Sequence, residues 1–249
     1  MSNTEFRPID WIGASATDVG TVREVNEDAV ILRPEIGMWA VADGMGGHEV
    51  GDIASAKVVE ALAGVENHEL LSDIVDAIDD ALISANEGIL EYSREQLDNA
   101  SMGSTLVSLI VRGRVGICIW VGDSRLYRLR GGVLTQLSRD HSQVEEMLQM
   151  GLLTPEQAEN HPDSHVITRA IGGEDELFID INIFSLQIGD SFLLCSDGLY
   201  NAVNIEDMEQ NLLLRNPQQV CDQLLTLALE NSARDNVSLI VIKGEAGKL

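Results

Sequence analysis

Two kinds of apolar pattern run along the 249 residues. Over 71–92 the apolar positions recur at helical spacing. Leu71, Ile74, Val75, Ile78, Leu82, Ala85 and Ile89 make one stripe, and Asp73, Asp76 and Asp80 fall largely on other faces. Those aspartates read as a helix exterior, not as a metal site. Helices are also predicted near 52–63, 143–150 and 217–231. The other apolar runs are short and read as strands: AVILR (29–33), MWAVAD (38–43), STLVSLIV (104–111), VGICIWVGD (115–123), RLYRLR (125–130), INIFSL (181–186), SFLLCSD (191–197) and NVSLIVIK (236–243).

Several of these strands are apolar on both faces. In VGICIWV, Val115, Ile117, Ile119 and Val121 point one way while Cys118 and Trp120 point the other. Strands of this kind are covered on both sides. The turns VRGRVG and RGGVL join neighbours closely enough for antiparallel hairpins, and long helices are not regularly interposed. The pattern predicts an α+β fold: a four-layer α/β/β/α sandwich of two mainly antiparallel sheets flanked by helices. No repeat, low-complexity tract or linker divides the chain, so a single domain over 1–249 is expected.

The stretch Asp140 to Gly173 reads differently from its strand-rich surroundings. It predicts two short helices, the second with Thr154 as N-cap, Pro155 at the first helical position and Gln157 closing a capping box. NHPDSH then breaks the regular pattern.

Composition narrows the function classes. A formal charge of −25 would repel a nucleic acid, so nucleic-acid partners are not expected. No apolar run reaches the length of a membrane span, and the opening MSNTEFRPID lacks a signal-peptide pattern. Cys118, Cys195 and Cys221 are scattered among apolar runs and read as small buried hydrophobes, which suits a cytoplasmic location.

The candidate chemistry lies at the strand ends. WAVAD, IWVGD and LLCSD end on Asp43, Asp123 and Asp197, and Asp28 and Asp235 stand just before other strands. In antiparallel pairs the end of one strand lies beside the start of its neighbour, so all five can converge at one edge. One such aspartate is ordinarily a turn residue. Carboxylates with backbone carbonyls suit Mg²⁺ or Mn²⁺, whereas no Cys–His cluster supports zinc. His161 and His165 read as a loop. The glycines of VADGMGGHEVGD match neither the dinucleotide fingerprint nor the P-loop. They would let the Gly44 carbonyl reach a cation held by Asp43.

VREVNEDAV, VADGMGGHEVG, MGSTLVSLIV, VGDSRLYRL, LSRDHS, LLCSDGLYN and ARDNVSLIVI, in this order across nearly the whole chain, resemble the successive motifs of the PPM (2C-type) metal-dependent serine/threonine protein phosphatases, bacterial single-domain members above all. The resemblance implies hydrolysis of phosphoserine and phosphothreonine monoesters on proteins by a water activated between two divalent ions, Mg²⁺ or Mn²⁺. By motif, Asp43 would bridge both ions, the Gly44 carbonyl would bind one, and Asp197 and Asp235 would complete the other. Asp123, with Asp197, resembles a third, weaker site. Glu27, Asp28 and Thr105 would hold metal-bound waters, and Arg23 would bind the substrate phosphate. The segment 140–173 corresponds to a flap beside the cleft. Partners would be phosphorylated proteins, substrates of a serine/threonine kinase, acted on by a monomer.

Some family members carry a histidine directly after the Asp–Gly pair as proposed general acid, and here that position is Met45. His48 and a metal-bound water are the candidates for the acid, the water being preferred. His48 reads equally as a structural hydrogen-bonding residue. Cys195 reads as core rather than nucleophile. Two other functions compete: a phosphoprotein-binding module without turnover and a metal-dependent nuclease. The intact set Asp43, Asp197 and Asp235 argues against the first, and the charge against the second.

Overall fold

A computed structural model describes residues 7–46, 50–159, 161–163 and 165–247. One face-to-face pair of sheets organises them. The first sheet runs β1 (Ile9–Asp18), β11 (Val237–Ala246), β10 (Ser191–Cys195), β7 (Arg125–Arg130) and β8 (Val133–Gln136). The second runs β2 (Asp28–Arg33), β3 (Met38–Gly46), β5 (Leu106–Arg112), β6 (Val115–Val121) and β9 (Asp180–Ser185), with β4 (Met102–Ser104) paired to the end of β3. Every pairing is antiparallel.

The alternation in β6 sorts its side chains as its sequence predicts. Ile117, Ile119 and Val121 pack outward against α1 (Gly51–Ala63) and α2 (Leu71–Gln96), together with Val58, Leu62, Ile74, Ile78 and Leu82. Cys118 and Trp120 face the other sheet, in a layer with Trp39, Phe192, Leu194 and Ile240. The first sheet is covered by α5 (Asp197–Tyr200), α6 (Ile205–Leu212) and α7 (Pro217–Glu230), whose Leu199, Met208, Val220 and Leu224 pack on Leu193, Leu239 and Val241. These are the four expected layers. The layer between the sheets fixes one sheet edge over the other, and each fully buried Leu, Ile or Phe contributes roughly 1.5–3 kcal/mol to doing so.

Several expectations need correction. The run 104–111 is not one strand. It breaks at Thr105, where β4 ends and β5 begins, because the Thr105 amide donates to the Asp43 carbonyl at 2.8 Å. Strands β1 and β8 and helices α5 and α6 were not foreseen. β1, with sequence IDWIGASATD, has no continuous apolar face and lies at a sheet edge, held along its length by β11. β8 is another edge strand and mostly exposed. Between β8 and β9, α3 (Gln143–Gln149) and α4 (Pro155–Glu159) occupy the stretch predicted as two short helices. Thr154 and Gln157 do form a reciprocal cap: the Gln157 amide donates to Thr154 Oγ1 at 3.4 Å, and the Thr154 amide donates to Gln157 Oε1 at 2.9 Å. The base of this insertion is tied to the core by paired backbone hydrogen bonds between Ser104 and Ile171.

Candidate active site

Antiparallel pairing turns the strand-end acids into neighbours. Asp28 opens β2 directly opposite Asp43 on β3. Asp197 follows β10 and Asp235 precedes β11, which are paired in the other sheet. Asp43, Asp123, Asp197 and Asp235 line one cleft of about 370 Å³ with Glu27, Gly44, Thr105 and Arg23. The convergence read from the strand ends is therefore present.

The backbone around Asp43 is pinned. Its amide donates to Thr105 Oγ1 at 3.1 Å, its carbonyl accepts from the Ser104 hydroxyl at 3.1 Å, and Thr105 Oγ1 shares a 2.7 Å hydrogen bond with Ser124. Gly44 is glycine for a packing reason: a Cβ there would overlap the Gly51 carbonyl and lie 2.6 Å from that of Glu27. The Glu27 carboxylate accepts from the Gly51 amide at 2.8 Å, so it caps the first turn of α1 while lining the cleft. The glycines thus bring the end of β3 against the start of a helix. His48 lies outside the described residues.

Asp235 accepts from Arg23 Nη2 at 2.8 Å and from the Asn236 amide at 2.9 Å. Arg23 is half exposed, and its hydrogen bond with Asp235 raises its pKa further, so it carries a permanent charge. Asn236 is a residue the sequence reading passed over. Its buried amide accepts from the Glu27 backbone N–H at 2.8 Å and donates to the Val19 and Val25 carbonyls, each at 2.9 Å. It therefore locks the 19–27 loop, which carries Arg23 and Glu27, beside Asp235. Gly20 lets that loop in: it has φ +78°, and a Cβ there would overlap the Asp235 carbonyl. In sequence Asn236 is marked only by following Asp235 at the start of a strand. His165, set aside as a loop residue, also lines the cleft.

Crowding among the acids is severe. Burial, and then the charges of Asp28, Asp197, Asp123 and Asp235, push the Asp43 carboxyl well above the usual range. Burial and the charges of Asp123, Asp235 and Asp28 push Asp197 up to about 8. Burial takes Asp28 to about 6, although Ser196 donates to its Oδ2 at 2.8 Å, and burial with Asp140 takes Asp123 to about 6. The other oxygen of Asp28 is buried with no hydrogen-bond partner. The thiols are core: Cys118, Cys195 and Cys221 are buried, and burial raises each thiol pKa.

Among the described residues that line the cleft, five acids face one guanidinium. Such a donor set, all hard oxygen with an orphaned carboxylate oxygen behind it, fits divalent cations of the Mg²⁺ and Mn²⁺ kind. No three acidic, histidine or cysteine side chains among the described residues form a ready-made metal cage. Arg23 and Ser196 engage Asp235 and Asp28.

The same architecture occurs in solved bacterial phosphatases. The structure of PppA, "a key regulatory component of T6SS in Pseudomonas aeruginosa", is 41% identical with a TM-score of 0.86, over 94% of this chain and 97% of that one. The catalytic domain of the serine/threonine protein phosphatase PstP, solved with two manganese ions, is 33% identical with a TM-score of 0.86, over 95% and 99%. In sequence, the serine/threonine phosphatase stp of Listeria monocytogenes is 36% identical over 235 residues, 91% of this chain and 93% of its own. PstP of Mycobacterium tuberculosis is 36% identical over 229 residues, but the chain spans only 44% of that protein's length. The sequence model of the family described as Protein phosphatase 2C matches residues 12–232. The chain belongs to the protein phosphatase 2C family.

Proposed function

We propose that this protein hydrolyses phosphoserine and phosphothreonine monoesters on proteins, with two divalent ions, Mg²⁺ or Mn²⁺, in the acid-lined cleft. The observation that carries the reading is the convergence of Asp43, Asp123, Asp197 and Asp235 in one cleft of a chain matched to this family over 12–232. Asp43 would serve both ions, the Gly44 carbonyl one, and Asp197 and Asp235 the other. Asp123 with Asp197 would serve a third, weaker one. When bound, the ions supply an activated water at neutral pH and neutralise phosphoryl oxygens. Glu27 and Asn236 fix the loop and helix end around the cleft, and Asp28 and Thr105 stand behind Asp43. Asp28 and Thr105, with Glu27, would orient water there.

Arg23 has the chemistry for the substrate phosphate: its planar guanidinium pairs hydrogen bonds with phosphoryl oxygens. Its bond to Asp235 is exposed enough to exchange for a phosphate once Asp235 is occupied by a cation. Arg23→Ala is expected to raise KM with a smaller fall in kcat. Loss of metal affinity as the only effect would remove the clamp role.

Physiological partners would be phosphoproteins made by a serine/threonine kinase, and the protein would act as a cytoplasmic monomer. Among the described residues, no helix is long and apolar enough to cross a membrane. The catalytic unit would be one domain over 1–249, with 140–173 as its flap. Replacing 156–164 by a short Gly/Ser linker is expected to leave hydrolysis of a small aryl phosphate largely intact and to lower activity on a phosphoprotein more strongly. An equal loss on both substrates would make the segment part of the catalytic core.

The deciding experiment for the reaction is phosphate release from a phosphothreonine peptide with Mn²⁺ and with a chelator, beside a phosphodiester. Metal-dependent release from the peptide alone is expected. Absence of release would leave a binding module, and diester cleavage would make the protein a nuclease.

A further inference from the structure

A second hollow, of about 420 Å³, opens beside the cleft and shares Met45 and Ile167 with it. Leu177 and Phe178 complete an apolar lining, and Phe178 leaves 57% of its surface exposed. Glu174 and Glu176 also line the hollow, and among the described residues neither side chain joins an ion pair. Arg169 also lines the hollow, and its guanidinium is paired with Asp180 at 3.1 Å.

The wall is built in advance. Asn86 of α2 is buried, accepts from the Gly172 amide at 2.6 Å and donates to the Glu174 carbonyl at 3.0 Å. Arg94, on the same helix, holds Asp175 at 2.7 Å. The loop 172–175 is thereby fixed to a long helix, so the hollow needs little ordering to bind. Met45 gives the shared wall a soft, adaptable thioether.

A phosphoserine or phosphothreonine side chain is the same in every substrate, so discrimination must come from flanking residues. An extended peptide advances about 3.3 Å per residue. The cleft and the hollow share Met45 and Ile167, so a chain whose phosphate occupies the cleft can reach the hollow within a few residues. We propose that the hollow is a specificity subsite: it takes a bulky apolar side chain of the phosphoprotein, with a basic residue alongside at Glu174 and Glu176. The net charge of −25 favours the same basic partner. This inference rests on the phosphatase reading.

The test uses the whole chain at saturating Mn²⁺ with a set of phosphothreonine peptides. One flanking position at a time is varied among Leu, Phe, Ala and Asp, and the neighbouring positions between Arg and Glu. A small aryl phosphate is the control. At one flanking position Leu or Phe is expected to raise kcat/KM about tenfold over Ala, the usual discrimination of an apolar pocket. Arg beside it should be preferred to Glu. Phe178→Ala should flatten the apolar preference, and Glu174→Gln with Glu176→Gln the basic one, with aryl phosphate turnover unchanged in both. Phe178 lies at the surface, so its loss opens no core cavity. Peptides cleaved without an apolar preference, or a preference that survives Phe178→Ala, would overturn the subsite while leaving the phosphatase reading intact. No turnover of either the aryl phosphate or the peptides would overturn both.

Discussion

Asp43→Asn is expected to abolish phosphatase activity and, at the same time, to make the metal-free protein more stable. The first effect follows from the role proposed for Asp43, in which one carboxylate would serve two cations. The amide keeps the shape but loses the charge, and weakening both ions at once should cost on the order of a thousandfold or more in kcat, the scale of losing one electrostatic stabiliser of a transition state. The second effect follows from the surroundings. Asp43 is crowded by Asp28, Asp197, Asp123 and Asp235, and burial with these charges raises its pKa well above the usual range. A neutral amide removes the cost of keeping an ionisable carboxyl among them, a cost present at every pH above the unfolded pKa. The fold should not object, because Thr105 and Ser104 hold the main chain of Asp43, not its carboxylate. For a chain of this size, each kcal/mol shifts the melting midpoint by about 2–4 °C. Phosphopeptide hydrolysis and thermal melts in chelator check both halves. Near-normal turnover would remove the bridging role, and a lower melting midpoint would show that Asp43 is a structural residue.

The same crowded carboxylates would carry both the proposed activity and the expected instability of the metal-free protein, and they were legible before their scaffold was. Three apolar runs lead within two residues to an aspartate, at Asp43, Asp123 and Asp197, although the structure carries β3 past Asp43 to Gly46. Period and strand ends were enough to place them at one edge. The helical stripe of α2 was equally plain, since Ile74, Ile78, Leu82, Ala85 and Ile89 are buried as spaced. Edge strands were not legible. β1 draws its stability from pairing with β11 and needs no apolar run of its own. Short helices such as α5, only four residues long, carry too little periodicity to be seen. Asn236 was missed for another reason: its work is done by hydrogen bonds to three backbone groups distant in sequence, near residues 19–27. Nothing local announces such partners. The glycines at 44 and 51 were noticed but explained incompletely, because the tight crossing of β3 and α1 exists only in three dimensions.

Removing the metals is expected to destabilise the protein increasingly as pH rises, and adding Mn²⁺ to reverse the trend. Asp28 and Asp123 are pushed up to about 6 and Asp197 to about 8, with burial as the largest cause in each. An unfolded aspartate titrates near 4. Below about pH 4 these groups hold their protons in both states, so they do not bear on folding. From there to about pH 8 the unfolded chain releases protons that the folded chain still holds. Unfolding therefore becomes more favourable at each step, and the penalty is complete above about pH 8. One pKa unit corresponds to about 1.4 kcal/mol, so Asp123 alone contributes a penalty of about 3 kcal/mol. Cations act in the opposite sense. Protons compete with them for the same oxygens, so affinity and the resulting stabilisation grow with pH, reaching about 2.7 kcal/mol at a hundredfold excess over Kd. Melts in chelator between about pH 5 and 8 should fall in midpoint, melts in Mn²⁺ should fall less or rise, and the gap should widen toward pH 8. Asp197→Asn should flatten the chelator series, because it removes a carboxyl pushed up to about 8. A chelator series that is flat in the parent protein, or one whose slope is unchanged in Asp197→Asn, would mean that the cluster is not the source of the pH dependence.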